Sequence, residues 1–431
     1  MARKEKNRSS HKNREYAVIT YFFLLMFLGL IAYFVYFQLV KSDKFINSPY
    51  NSLQDLFAKN VVRGEITTAD GEVIARTVTD ADGNETREYP DGRMFAHAVG
   101  YAVNGKAGME KQENFTLLRS HDFFLTQIVN DISGTKNIGD NVISTLDHKA
   151  QNAAYEALDD YDGAVIAIEP ETGKIVAMVS KPDYDPNTIS ADWDEVNGDG
   201  STALYNRATQ GQYAPGSVFK IFTALEYYNE FPDTYEDYEF DCDSEITRDG
   251  FTIHCSGNKS HGTEDLRKSF AKSCNSSFAN IGLTIDNNKL NALCNDMLFN
   301  KDIPIEFESK ASKFSLSNSD TTALTMQTCI GQGNTLVSPL HMCMVAGAIC
   351  NGGTLMTPYI VDRVENAGGM VVTQNEPQKN KALMSEKQAA FLQNLMSAVV
   401  SEGTGSKLAD QSYDAYGKTG TAQNRGKDHS V

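Results

Sequence analysis

The chain has 431 residues, 41% of them hydrophobic, and a formal net charge of -17 at pH 7. That length suggests two or three domains, and the apolar content suffices for a sizeable core. The acidic balance argues against nucleic acid as a partner, which would require a basic surface. The charge is unevenly placed: residues 1–16 hold Arg3, Lys4, Lys6, Arg8, Lys12 and Arg14 against Glu5 and Glu15, and the remainder is acidic.

Residues 17–40 form an uncharged run of 24 residues, long enough to span a bilayer as a helix. The basic tail at 1–16 should stay in the cytoplasm, and Tyr21, Tyr33 and Tyr36 suit membrane interfaces. A cleaved signal peptide would have a shorter apolar core followed by small residues. Tyr36-Phe37-Gln38-Leu39-Val40-Lys41 is bulky, which favours an uncleaved anchor with the body outside the cytoplasm. Residues 41–145 are polar, with short alternating runs and turns at Asp70-Gly71, Asp82-Gly83 and Asp91-Gly92. They predict an extended, strand-containing spacer with little core of its own.

From residue 146 onward the pattern is denser. A helix is expected near 148–158, then two β-rich runs at 163–169 and 174–181 joined by the hairpin signal Pro170-Glu171-Thr172-Gly173. The middle, 217–350, reads as mostly helical. Ser338-Pro339-Leu340 opens a helix with proline at its first position, ending near Asn351-Gly352-Gly353. Ser385 and Gln388 form a capping box before a helix that stops by Gly403, and Tyr416 to Ala422 reads as a strand.

Seven cysteines in an extracytoplasmic body permit disulfides and leave at least one thiol over. Cys242 and Cys255 flank a turn at Asp249-Gly250, and Phe251-Thr252-Ile253-His254-Cys255 alternates like a strand, so a hairpin disulfide is one reading. Zinc held by Cys242, His254, Cys255 and His261 is the other, although this spacing fits no standard pattern. Cys343 and Cys350, seven apart on an apolar helix, are expected to be buried thiols, and Cys274 reads as a packing residue.

Three motifs carry the chemistry: Ser217-Val218-Phe219-Lys220, Ser273-Cys274-Asn275 and Lys418-Thr419-Gly420. Ser-x-x-Lys occurs five times, at Ser9, Ser133, Ser217, Ser256 and Ser269, so that spacing alone is weak. Each motif alone also has a plain structural explanation, as a helix cap, a loop or a strand end. Context singles out Ser217. Pro215-Gly216 punctuates the chain before it, and an apolar run at helical spacing follows, placing Ser217 in the first turn of a buried helix. Lys220, three residues on, shares its face. Burial, or a neighbouring cation such as Lys418, would lower the Lys220 pKa and let it take the Ser217 proton. The set supplies a nucleophile, proton carriers, an amide clamp and a carboxylate clamp, which is equipment for acyl transfer through a serine ester.

In this order the motifs resemble those of class B penicillin-binding proteins, the membrane-anchored transpeptidases of peptidoglycan synthesis. The middle motif matches in the looser Ser-x-Asn form. Residues 163–180, Gly331-Gln332-Gly333, Ser338-Pro339-Leu340 and Asn351-Gly352-Gly353 are similar too, and Arg63-Gly64-Glu65-Ile66 resembles the start of the family's non-catalytic pedestal. The resemblance covers roughly residues 40 to 431. It implies an α+β fold of the penicillin-binding transpeptidase and serine β-lactamase type, an antiparallel sheet flanked by helices. A β-rich pedestal at 41–145 and one transmembrane helix would precede the transpeptidase domain at 146–431.

The resemblance also implies roles. Ser217 attacks a D-alanyl-D-alanine carbonyl, and the backbone N–H groups of Ser217 and Thr421 form the oxyanion hole. Ser273 relays a proton to the leaving amine with Lys418 close by, and Asn275 binds a substrate amide. Thr419 and Thr421 hold the terminal carboxylate, and Gly420 leaves room for the substrate backbone. A second stem peptide's amine then resolves the ester, β-lactams acylate the same serine, no metal or organic cofactor is needed, and a membrane glycosyltransferase is the expected partner. The nearest rivals are a D,D-carboxypeptidase or β-lactamase with the same motifs, or a non-catalytic penicillin-binding sensor or scaffold. In the family further strands and a terminal helix follow the position of Val431, so an incomplete sequence is expected.

Overall fold

The computed structural model describes residues 2–41, 58–424 and 427–430. An α-helix runs over Ala2–Tyr36 and ends in a π-turn, Phe37–Lys41, so the basic tail continues the helix of the apolar run. Its segment Tyr16–Tyr36, of 21 residues, is the one helix among the described residues long and apolar enough to cross a membrane.

The pedestal is built on a six-stranded mixed sheet ordered Val371–Gln374, Val361–Glu365, Asn141–Ser144, Ile66–Thr67, Val73–Thr79, Glu85–Glu88. Ile66–Thr67 pairs antiparallel with the strand after it but parallel with Asn141–Ser144. The glycines of the three predicted turns, Gly71, Gly83 and Gly92, all have positive φ. One expectation needs correcting. The pedestal has a core of its own, with Ile66, Ile74, Met109, Leu117 and Val142 fully buried, and that core runs on into Ile175, Met178 and Val361. Its sheet also takes in strands from residues 361–374, whose pairing with Asn141–Ser144 is long-range and leaves no local signal.

At the pedestal's centre Glu110 is completely buried on the short helix Gly108–Gln112. Arg63 Nε and Arg87 Nε donate to its two carboxylate oxygens, each at 2.7 Å, and Arg63 Nη1 reaches Asn114 Oδ1 at 2.6 Å. Burial alone would raise the Glu110 pKa, but the two guanidinium groups outweigh it and hold the carboxyl below its ordinary value.

The region from residue 146 onward starts with the helix His148–Leu158, capped by Asp147, and the hairpin Gly163–Ile168/Ile175–Lys181, much as the sequence predicts. The hairpin packs against His148–Leu158 and against Pro339–Cys350, whose N-cap is Ser338. The capping box at Ser385 and Gln388 opens Glu386–Glu402, and Gly403 ends it. Helices Lys220–Glu230, Asn275–Thr284 and Thr322–Cys329 complete the main core, in which Phe219, Phe222, Phe299 and Phe314 pack ring against ring. The stretch read as mostly helical also holds four short strands at 239–265. Glu245–Arg248 pairs with Phe251–His254 as a local hairpin, and Glu239–Cys242 pairs with Gly262–Asp265 across it.

Removing one partner of a buried ion network leaves uncompensated charge, at a cost of about 3–5 kcal/mol. Glu110→Gln should therefore lower the unfolding free energy by that order, read as a lower denaturant midpoint. The depressed Glu110 pKa adds stability that is present above the ordinary glutamate range and lost as pH falls through it. Wild type should accordingly lose stability on acidification more steeply than the variant, as chemical denaturation at several pH values will show.

Candidate active site

The three motifs meet in space. Pro215 is buried and Gly216 takes φ +54°, which swings the chain into a 3-10 turn over Gly216–Phe219. Ser217 lies in that turn, half-buried, and the α-helix starts at Lys220. Residues i and i+3 eclipse in a 3-10 turn, so Ser217 and Lys220 share one side. Phe219 and Phe222 anchor the turn in the aromatic core, and Lys220 itself is fully buried.

Lys220 makes its hydrogen bonds to the second motif. Its Nζ donates to Ser273 O at 2.7 Å, to Asn275 Oδ1 at 2.8 Å and to Ser273 Oγ at 3.3 Å. Lys418 Nζ donates to the same Ser273 Oγ at 2.9 Å, so two amines converge on one hydroxyl. Among the described residues, no hydrogen bond links Ser217 Oγ to Lys220. The ring of Phe278 lies 5.4 Å from Lys220 Nζ and that of Phe270 lies 5.6 Å from Lys418 Nζ. These apolar walls desolvate both ammonium groups. Burial lowers the Lys220 pKa to about 7, and burial together with the Lys220 charge pushes Lys418 well below the ordinary lysine value.

The second motif straddles a helix start. Ser273 adopts a left-handed conformation, φ +57°, and Cys274 is the N-cap of Asn275–Thr284, its sulfur accepting from Ser277 N–H. Asn275 is held from both sides, accepting from Lys220 and donating Nδ2 to His254 O at 3.0 Å.

The third motif departs from expectation. Lys418-Thr419-Gly420 is irregular, and the strand covers Thr421–Asn424 alone, paired with Lys427–Ser430. Among the described residues no strand lies alongside 416–420 to form a ladder. This segment is held instead by Gly417 N–H donating to Met396 O at 3.3 Å and by Thr419 Oγ1 lying 2.6 Å from Thr404 Oγ1. Thr421 backs directly onto the Ser217 turn, since a Cβ on Gly216 would come within 2.5 Å of Thr421 O.

Gly331 has no role in the sequence reading beyond its place in the Gly331-Gln332-Gly333 string. A Cβ there would fall 1.7 Å from Gly216 O, and Gly216 N–H donates to Gly331 O at 2.9 Å. Side-chain-free backbone is therefore required on both sides of that contact. Thr404, Phe270 and Phe278 had no sequence signal at all, because each reaches the site from a separate helix or loop.

Residues 163–430 match the penicillin-binding protein transpeptidase domain, and residues 63–142 match the penicillin-binding protein A dimerisation domain. The chain is a class B penicillin-binding protein. A relative from Mycolicibacterium smegmatis, the peptidoglycan D,D-transpeptidase PbpA, is 30% identical over 420 residues, covering 93% of this chain and 85% of its own. The D,D-transpeptidase domain of a peptidoglycan glycosyltransferase from Eggerthella lenta superposes with a TM-score of 0.76 at 31% identity, covering 86% of this chain and 89% of that one. The penicillin G acyl-enzyme of penicillin-binding protein A from M. tuberculosis superposes with a TM-score of 0.74 at 27% identity, covering 84% and 86%. This class B penicillin-binding protein thus shares its fold with solved transpeptidases, the antiparallel hairpin and flanking helices included.

A left-handed backbone costs an L-residue about 1–2 kcal/mol. Ser273→Gly should therefore keep or raise the melting temperature of this penicillin-binding protein while slowing acylation by fluorescent penicillin, because both lysines lose their shared acceptor. Thermal melts and labelling rates on the same preparation will show whether stability and reactivity part in this way.

Proposed function

We propose that this protein is a peptidoglycan D,D-transpeptidase that cross-links stem peptides through an acyl-enzyme on Ser217. The observation that carries the reading is the convergence of Lys220 and Lys418 on Ser273 Oγ, beside Asn275 and next to the turn that bears Ser217. The D,D-transpeptidase names of its relatives and the penicillin acyl-enzyme of a homologous structure support it.

Neutral Lys220 takes the Ser217 proton as Oγ attacks the penultimate D-alanyl carbonyl. The backbone N–H groups of Ser217 and Thr421 stabilise the oxyanion. The tetrahedral intermediate then breaks its C–N bond, and the proton passes from Lys220 through Ser273 Oγ to the departing D-alanine amine. An acceptor amine attacks the ester, gives up its proton along the same route and restores Ser217. Asn275 orients the donor's amide. Thr419 and Thr421 bind its carboxylate near the Lys418 charge, and Gly420 leaves space for its backbone. A β-lactam replaces the donor dipeptide and leaves a slowly hydrolysed ester.

Ser217→Ala should abolish labelling by fluorescent penicillin, and persistent labelling would overturn the nucleophile assignment. The wild-type acylation rate should rise with pH through about 7, because Lys220 accepts a proton only when uncharged. Rapid turnover of the bound label would instead identify a hydrolase.

The basic flank of Ala2–Tyr36 supports an N-terminus in the cytoplasm and a catalytic domain facing the cell wall. In the pedestal, helix Phe124–Ser133 exposes Phe124, Leu125, Ile128, Val129 and Ile132 to solvent. An apolar row of this kind marks an interaction site, and it supports a membrane glycosyltransferase as the partner that polymerises the glycan. Ile128→Asp/Ile132→Asp should reduce co-purification of that partner from membranes while leaving penicillin labelling of the protein unchanged. Equal co-purification would remove the helix from consideration.

A further inference from the structure

Adjoining the Ser273 motif is a cluster that acyl transfer does not use. The sulfurs of Cys242, Cys255 and Cys274 and a ring nitrogen of His261 all lie within 4.8 Å of one another. Cys255 Sγ is 3.7 Å from Cys242 Sγ and 3.7 Å from Cys274 Sγ, and Cys242 Sγ is 3.4 Å from His261 Nδ1. A disulfide needs about 2.05 Å between sulfurs. Around tetrahedral zinc, with Zn–S about 2.3 Å and Zn–N about 2.0–2.1 Å, two sulfurs stand about 3.8 Å apart and a sulfur and a nitrogen about 3.5 Å. The observed separations fit the metal geometry and not the covalent bond. Cys242 and Cys274 are fully buried, Cys255 is 3% exposed and His261 is half-buried.

The fold delivers the four groups from separate elements. Cys242 ends the strand Glu239–Cys242, His261 precedes the strand paired with it, Cys255 follows Phe251–His254, and Cys274 caps Asn275–Thr284. Polar neighbours face the sulfurs, with Ser276 Oγ 3.2 Å from Cys255 Sγ and Ser277 N–H donating to Cys274 Sγ at 3.4 Å. Such contacts orient metal-bound thiolates. The donor set differs from the one the sequence suggests. His254 is exposed and 3.1 Å from Glu245, outside the cluster, and Cys274 takes its place.

We propose that Cys242, Cys255, His261 and Cys274 bind one zinc ion as a structural site that braces the second catalytic motif. Four protein ligands close the coordination sphere, which leaves no open position for catalysis. Cys274 stands between Ser273, whose backbone is left-handed, and Asn275, and both of these receive Lys220. A metal that ties Cys274 to the strands at 239–265 holds Ser273 in its strained conformation, so these ligands are positioning residues.

The test is elemental analysis of the full chain, purified in detergent under reducing conditions without chelator. About one zinc per chain is expected, lost in Cys242→Ser and His261→Gln and kept in Cys350→Ser, whose thiol lies outside the cluster. Cobalt in place of zinc should give the thiolate charge-transfer and tetrahedral d–d bands, a signature that needs no variant to fold. Removing the metal should slow fluorescent-penicillin acylation several-fold, and restoring zinc should recover it. The metal content stands independently of the proposed transpeptidation, and only the acylation readout rests on it. Failure to bind zinc even when it is supplied, retention of zinc in both ligand variants, or a Cys242–Cys255 disulfide in the peptide map would overturn the proposal.

Discussion

The site depends on two lysine amines kept out of water. Lys220 is fully buried and Lys418 half-buried, and each sits against a phenylalanine ring while donating to Ser273 Oγ. A charged ammonium in such a place has lost hydration that a few neutral acceptors cannot replace. Desolvation therefore drives both toward the neutral form, with the Lys220 charge adding to the effect on Lys418, and burial makes Lys220 a base near neutral pH.

The walls of that enclosure are mostly backbone. The Ser217 turn is clamped between Gly331 on one side and Thr421 on the other, and only hydrogen atoms fit at Gly216 and Gly331. The left-handed Ser273 aims its hydroxyl at both amines and feeds directly into a helix capped by Cys274. Strain of this kind persists only where the surroundings over-determine it. Here the hydrogen bonds from Lys220, the cap at Cys274 and the packing of Phe270 and Phe278 supply that constraint.

The pedestal solves a similar problem with opposite means. Its central charge stays ionised, because Glu110 receives two guanidinium groups rather than one. The network links the chain near residue 63, the outer strand Glu85–Glu88 and the helix Gly108–Gln112, which are far apart in sequence. The pedestal sheet also contains Val361–Glu365, and the pedestal's core takes in Ile175 and Met178 of the catalytic hairpin, so the two regions share strands and buried side chains where they meet.

The sequence by itself determined the elements whose signals are local. The apolar run of the membrane helix, the hairpin around Pro170-Glu171-Thr172-Gly173, and the helix starts at Ser338 and Ser385 follow from periodicity, turn chemistry and capping within a few residues. The motif order likewise pointed to Ser217, Lys220, Ser273, Asn275 and Lys418 as one site. Only the tertiary structure decided how these groups meet. Lys220 bonds to Ser273 rather than Ser217, Lys418-Thr419-Gly420 lies outside the strand, and Cys274 joins Cys242, Cys255 and His261 instead of serving as packing alone. The pedestal's core and its strands from 361–374 were equally hidden. These outcomes depend on contacts between residues tens to hundreds of positions apart. Periodicity and spacing describe one element at a time, and they carry no term for what another element brings against it.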